Sequence, residues 1–170
     1  STPDAALDLR LRQLAALGEP FRGGIRWPLR ADAPAGTHLR GWCNGSAGYA
    51  LLWTLAASVY PAGGYLELAR GAALDAAAGG GGGHGLCCGF AGQAYAQLAL
   101  FRATGEEEWL HRARELAVRA ADFSEGLRYR QDDALPFSLF KGDLGVAVLA
   151  VELENPHYAS MPFCGEEGWW

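Results

Sequence analysis

Three of the four cysteines of this chain sit in two short glycine-bounded turns, Gly41-Trp42-Cys43-Asn44-Gly45 and Gly85-Leu86-Cys87-Cys88-Gly89. Each turn opens a Gly-x-x-Gly step, Gly45 to Gly48 and Gly89 to Gly92, that runs into an apolar stretch with helical period. Thiolates on short, glycine-shaped backbone at two helix starts suit a soft divalent ion such as zinc. The spacing is not the paired CxxC of a structural zinc site. Three ligands, Cys43, Cys87 and Cys88, leave a tetrahedral ion with one open position, which is the catalytic arrangement. The plain alternative is that the cysteines and glycines serve helix packing alone, since free cysteine is a common core residue.

Two histidines lie close in sequence to these turns. His84 is three residues before Cys87 and His38 is five before Cys43. Either is a candidate proton donor or a partner that orients a ligand, against the plainer reading of a solvated loop histidine. His111 falls in a charged helix and reads as surface, and His157 lies in a segment with no chemical signature. Cys164 stands beyond the last repeat and reads as a non-ligand thiol. Lys141 and Asp143 flank Gly142 in a third Gly-x-x-Gly turn that has no cysteine; helix capping by Asp143 is the simplest role there. Trp42 reads as a wall of the metal pocket.

The elements that must hold these residues are nearly all helical. Residues 4 to 17 put Leu7, Leu11, Leu14 and Ala15 on one face. Residues 18 to 42 carry Pro20, Gly23, Gly24, Pro28, Pro34 and Gly36 and read as a long irregular connection. Helices are expected over 46–60, 65–78, 90–103, 106–122 and 143–152. The run Gly79 to Gly83 reads as a flexible loop or a lid beside the metal turn, and 123–141 as a loop. Glu106, Glu107 and Glu108 fall at a helix start, where the dipole favours negative charge. Gly45-x-x-Gly48, Gly89-x-x-Gly92 and Gly142-x-x-Gly145 form an internal repeat, each beginning an apolar helix, with amphipathic helices between them. Apolar helices alternating with amphipathic ones describe an inner ring inside an outer ring, an α/α toroid.

Composition sets the outer bounds. The 170 residues suffice for one domain with a real core, and half of them are hydrophobic. The formal net charge of -5, with a single Lys, argues against a nucleic-acid partner. No stretch reaches transmembrane length and no signal peptide opens the chain, so no membrane partner is expected. Adjacent Cys87 and Cys88 are awkward disulfide partners, and thiols held for a metal fit a cytoplasmic protein.

Three ordered segments resemble the lanthionine synthetase C-like family of zinc-dependent thioether cyclases. They are Gly-Trp-Cys-Asn-Gly-Ser-Ala-Gly at 41–48, His-Gly-Leu-Cys-Cys-Gly-Phe-Ala-Gly at 84–92, and Ser-Leu-Phe-Lys-Gly-Asp-Leu-Gly-Val-Ala at 138–147. Pro156 and Met161-Pro162-Phe163 follow in the family's order, giving a motif-bearing part of 41–163 in a single segment of 1–170. The resemblance implies an all-α toroid, of which this chain is the C-terminal half. It implies zinc on Cys43, Cys87 and Cys88, the all-cysteine variant of a site whose third ligand is His or Cys. It also implies the reaction: a peptide thiol adds to dehydroalanine or dehydrobutyrine in a dehydrated precursor peptide, forming a lanthionine ring. The family's proton-donating His lies in an earlier part of the toroid and has no match here. The partners implied are the precursor peptide and the missing N-terminal part of the toroid or a kinase-like domain. Two rival readings use the same site: addition of glutathione to dehydroamino acids, and a non-catalytic zinc-bearing peptide-binding module. A half toroid is also expected to expose apolar inner helices along its cut edges and to self-associate.

Overall fold

The computed structural model describes residues 4–30, 36–79, 82–130, 137–162 and 164. Its first helix, α1 (Ala5–Ala15), is capped by Asp4, whose carboxylate accepts from the Ala6 amide at 2.8 Å. Leu11 of its apolar stripe is buried and Leu14 and Ala15 pack partly buried against the core, while Leu7 is half exposed, so the stripe packs from Leu11 onward.

The connection expected to be irregular contains a hairpin. Strands β1 (Glu19–Phe21) and β2 (Gly24–Arg26) pair antiparallel across Arg22 and Gly23, both with positive φ. The hairpin leaves no strand signature in the sequence, because each strand has three residues and one contains Pro20. Its Gly24 sits directly on a helix, α3 (Tyr65–Ala77); a Cβ there would lie 2.7 Å from the Asp75 nitrogen. An isolated bridge from Pro28 to His38 ties the rest of the connection down.

Helix α2 (Ser46–Val59) is stopped by a 3-10 turn at Pro61–Gly63, and Gly64 in the left-handed region starts α3. Helix α4 (Phe90–Thr104) ends at Gly105, also left-handed, and α5 (Glu107–Arg130) follows. Glu107 and Glu108 fall in its first turn as expected, whereas Glu106 precedes it and pairs with Arg70. Helix α5 runs eight residues past the expected end at 122. Tertiary contacts extend it: Phe123 packs edge-on against Phe90, and buried Ser124 bonds Asp143 at the start of α6 (Asp143–Glu152). The loop expected over 123–141 is correspondingly shorter, and its residues 131–136 lie outside the described residues, as do Gly80, Gly81 and the terminal Trp169 and Trp170.

The helices form two layers of an all-α fold. Helices α2, α4 and α6 pack side by side in one row, with α3 and α5 alternating behind them. Helix α4 is buried almost all round, as an apolar helix must be. Fully buried alanines on α2, α3 and α4, among them Ala50, Ala73 and Ala94, keep the rows close. A column of rings, Tyr49, Trp27, Trp53 and Tyr65, fills the space between α2, α3 and the hairpin. On the α2–α4–α6 row, Leu55 and Val151 are 65% and 72% exposed. No helix among the described residues is long and apolar enough to cross a membrane.

Candidate metal centre

The first two glycine turns are built the same way. Three amides at the start of α2 (Ser46, Ala47 and Gly48) donate to the carbonyls of Leu39, Arg40 and Gly41. Their counterparts at the start of α4 (Phe90, Ala91 and Gly92) donate to Gly83, His84 and Gly85. Helix amides that would otherwise lack partners are thus satisfied by the chain seven residues back. The geometry requires glycine at one repeated place. A methyl group on Gly48, Gly92 or Gly145 would overlap the carbonyl oxygen six residues earlier, on Trp42, Leu86 or Leu139 respectively.

The turns are also stapled to one another. The Cys87 carbonyl accepts from the amides of Trp42 at 2.8 Å and Cys43 at 3.4 Å, and the Cys87 amide donates to the Phe140 carbonyl at 2.8 Å. The Trp42 ring stacks on Phe140, centroids 5.6 Å apart. All three Gly-x-x-Gly turns therefore meet at Cys87.

This brings the sulfurs of Cys43, Cys87 and Cys88 within 4.8 Å of one another. The Cys43–Cys88 and Cys87–Cys88 separations are both 3.5 Å. A tetrahedral zinc with bonds of about 2.3 Å places its sulfurs roughly 3.8 Å apart, so this donor set fits a soft divalent ion. Cys43 and Cys88 are exposed and Cys87 is half-buried, which leaves the cluster open on one side. Burial pushes the Cys87 thiol up to about 12, with further upward push from its contacts with Cys43 and Cys88. Cys88 is raised too, first by burial, while the positive charge of Lys141 pulls the other way. Metal-free, Cys87 and Cys88 both hold their protons more tightly than an ordinary thiol.

Neither His38 nor His84 joins the sulfur group. His38 lies against the hairpin, its Nε2 3.1 Å from Glu19 Oε2. His84 is buried at the foot of the second cysteine turn, with Nε2 3.3 Å from Asp143 Oδ1 and its ring stacked on Phe123. Asp143 was expected to cap α6. Gly142 occupies the cap position, and the Asp143 carboxylate is taken by Ser124 and His84. His111 is exposed, and His157 sits on the ring of Phe101. Cys164 is exposed and outside the cluster.

Trp42 separates two clefts. One, about 480 Å³, begins at Cys43 and Asn44 and is walled by Trp27, Leu29, Tyr49 and Leu52. The other, about 1040 Å³, lies between α2, α4 and residues 157–161 and 164, and contains Arg102 and Glu152. Of these groups Trp42 is legible in the sequence, whereas Trp27, Tyr49 and the Phe140 carbonyl are not. The first two are brought to the site by the hairpin and by helix phase, and a backbone oxygen carries no signature in residue type.

A family model described as lanthionine synthetase C-like protein matches residues 13–165. Glutathione S-transferase LANCL1 of Danio rerio is 33% identical over 130 residues, which cover 71% of this chain but 30% of that protein. By both comparisons, and with its repeated glycine turns and all-helical layers, the chain belongs to the lanthionine synthetase C-like family.

Proposed function

We propose that this chain carries the metal-binding part of a zinc-dependent lanthionine synthetase, joining a peptide cysteine to a dehydroamino acid in a dehydrated precursor peptide. The observation that carries this reading is the convergence of three cysteine sulfurs on one point with an open side. When bound, zinc stabilises thiolate over thiol and so activates a fourth, substrate sulfur at neutral pH.

The chain's own residues supply the remainder. Cys43, Cys87 and Cys88 hold the ion, and the backbone staples through Cys87 keep them in register. Trp42 and Phe140 form a fixed wall beside the sulfurs. In the addition, the substrate thiol gives up its proton and its sulfur bonds the β-carbon of the dehydro residue. The α-carbon then takes a proton, so the step is redox-neutral. His84 and His38 are the candidates in this chain for handling that proton. His84 is the better placed, three residues from Cys87 and oriented by Asp143. An upstream part of the toroid or a kinase-like domain would complete the protein, and the compartment proposed is the cytoplasm.

A second reading is favoured by one observation: the similarity to glutathione S-transferase LANCL1. It uses the same cluster with glutathione as the thiol. The test is metal content of the purified chain and of Cys87→Ala/Cys88→Ala, followed by incubation of the loaded chain with a dehydrated peptide carrying one free Cys. About one zinc per chain, lost in the double variant, with loss of the free thiol at constant peptide mass, supports the cyclase. A mass increase only when glutathione is added supports the second reading. Zinc retention without either product leaves a binding module, and no zinc in folded protein overturns all three.

A further inference from the structure

We propose that the cleft on the Cys43 side of Trp42 is a side-chain subsite that takes an apolar residue flanking the substrate cysteine. On this assignment the site selects a peptide thiol over a small anionic thiol such as glutathione. The inference rests on the reading of the cysteine cluster as a thiol-activating centre and names which thiol it serves.

The first ground is continuity. Cys43 is at once a member of the sulfur cluster and part of the cleft wall. A ligand whose sulfur reaches the cluster therefore lays its neighbouring side chain into this space. The volume of about 480 Å³ falls within the roughly 300–1,000 Å³ usual for ligand sites.

The second ground is charge. None of the described residues lining the cleft carries a charge; the polar side chains are the Asn44 amide and the Tyr49 phenol. Arg30 follows Leu29 in the chain but is not among the residues that line the cleft. Glutathione brings two carboxylates close to its thiol, and a carboxylate placed here would be desolvated without a partner. The larger cleft beyond Trp42 has Arg102, but its guanidinium donates to the Ala159 carbonyl at 2.9 Å. A leucine or phenylalanine side chain loses nothing by entering and covers Leu29, which is 41% exposed.

The third ground is preorganisation. Trp27 is 2% exposed, its indole Nε1 donates to the Leu14 carbonyl at 2.9 Å, and it stacks on Tyr49 with centroids 4.6 Å apart. Trp53 backs both rings. On the other side Trp42 is fixed by Phe140. Walls already ordered cost little to bind against.

The experiment uses the full chain loaded with Co²⁺, whose thiolate charge-transfer band reports a fourth sulfur. Three ligands are titrated: a capped pentapeptide with Leu-Cys-Leu at its centre, the same peptide with Asp-Cys-Asp, and glutathione. The Leu peptide is expected to bind about tenfold or more tightly than either other ligand, the value for burying one such side chain. Leu52→Asp and, on the exposed rim, Leu29→Asp should each erase the preference while cobalt stoichiometry and the ligand-free spectrum stay unchanged. Equal affinities, or tighter binding of glutathione, would overturn the proposal with the metal centre intact. If the chain takes up no cobalt, the metal reading fails instead, and the cleft is read directly. Tryptophan fluorescence should then respond to a Leu-Ser-Leu peptide and not to Asp-Ser-Asp, and no difference between them overturns the subsite.

Discussion

The Cys87 amide donates to the Phe140 carbonyl at 2.8 Å, so a turn without any cysteine holds one of the three candidate metal ligands. Gly85 is where this contact is most easily disturbed. A Cβ on Gly85 would lie 2.7 Å from the Phe140 oxygen and 2.9 Å from Lys141 Cα, both backbone atoms with little room to give. Gly85→Ala should therefore lower zinc affinity about 10–100-fold, the usual cost of disturbing what orients a ligand, with all four thiols still present. Competition against a chromophoric chelator measures it. Gly126→Ala is the control, because a Cβ there meets nothing within 4 Å and should leave affinity unchanged. Equal affinities for the parent and Gly85→Ala would show that the third turn does not support the site.

The ligand set makes a sharper prediction. Cys43→Ala, Cys87→Ala and Cys88→Ala should each reduce bound zinc severely, because two thiolates do not hold the ion against a chelator. Cys164→Ala should bind like the parent, since this thiol lies outside the sulfur group. Elemental analysis after dialysis, with circular dichroism to confirm helix content, decides it. Retention of zinc by Cys43→Ala would shift the site to other ligands.

Residue type and spacing carried the sulfur cluster, the helix order and the inner and outer rows, because glycine turns and apolar period are local signals. What was not legible came from contacts between distant segments. The extension of α5 to Arg130 depends on Ser124 meeting Asp143 and Phe123 meeting Phe90 and His84. The hairpin at 19–26 is stabilised by its seat on α3 at Gly24 and Gly71 rather than by strand length. Asp143 reads as a cap from its position and serves instead as an anchor for His84 and Ser124. In each case tertiary packing overrode a local preference.

Asp75 shows how far the support of the first turn extends. It is 1% exposed, accepts from Ser46 Oγ at 2.6 Å, and lies 3.5 Å from the Arg40 guanidinium, whose Nε also donates to the Asp75 carbonyl. Arg40 directly precedes the turn at 41–45. Asp75→Ala should cost about 3 kcal/mol, because it strips the partner from a partly buried cation and from a buried hydroxyl. It should also weaken zinc binding through the loosened Arg40. Asp75→Asn keeps an acceptor for Ser46 and should cost less. Urea unfolding with and without metal separates the two effects; equal losses from both substitutions would mean that the charge of Asp75 does all the stabilising.

The metal-free cluster should give the chain an alkaline limb. Cys87 moves from an ordinary 9.0 up to about 12 on folding, chiefly through burial. Between those values the unfolded chain has released a proton that the folded chain keeps. Stability from this thiol is therefore fully present below about 9 and is lost as pH rises toward 12. Urea midpoints in chelator and reductant should fall more steeply across this window for the parent than for Cys87→Ser. With zinc the dependence reverses, because protons compete with the ion for the same sulfurs and affinity climbs with pH.

At the acid end the relevant pair is Arg70 on α3 and Glu106 ahead of α5. Two guanidinium nitrogens meet the two carboxylate oxygens at 2.5 and 2.6 Å, and Trp109 Nε1 adds a third donor at 2.8 Å. Arg70 first and Trp109 second hold the Glu106 carboxyl down at about 2 from an ordinary 4.5. With the folded value depressed, the contribution is present above 4.5 and fades as pH falls toward 2. The pair lies at the surface, so salt weakens it. Glu106→Gln should flatten the decline in thermal midpoint between pH 4.5 and 2, and 0.5 M NaCl should shrink the difference from the parent to near zero. A difference that persists undiminished in salt would place the effect in the hydrogen bonds to Trp109 rather than in the charge of Arg70.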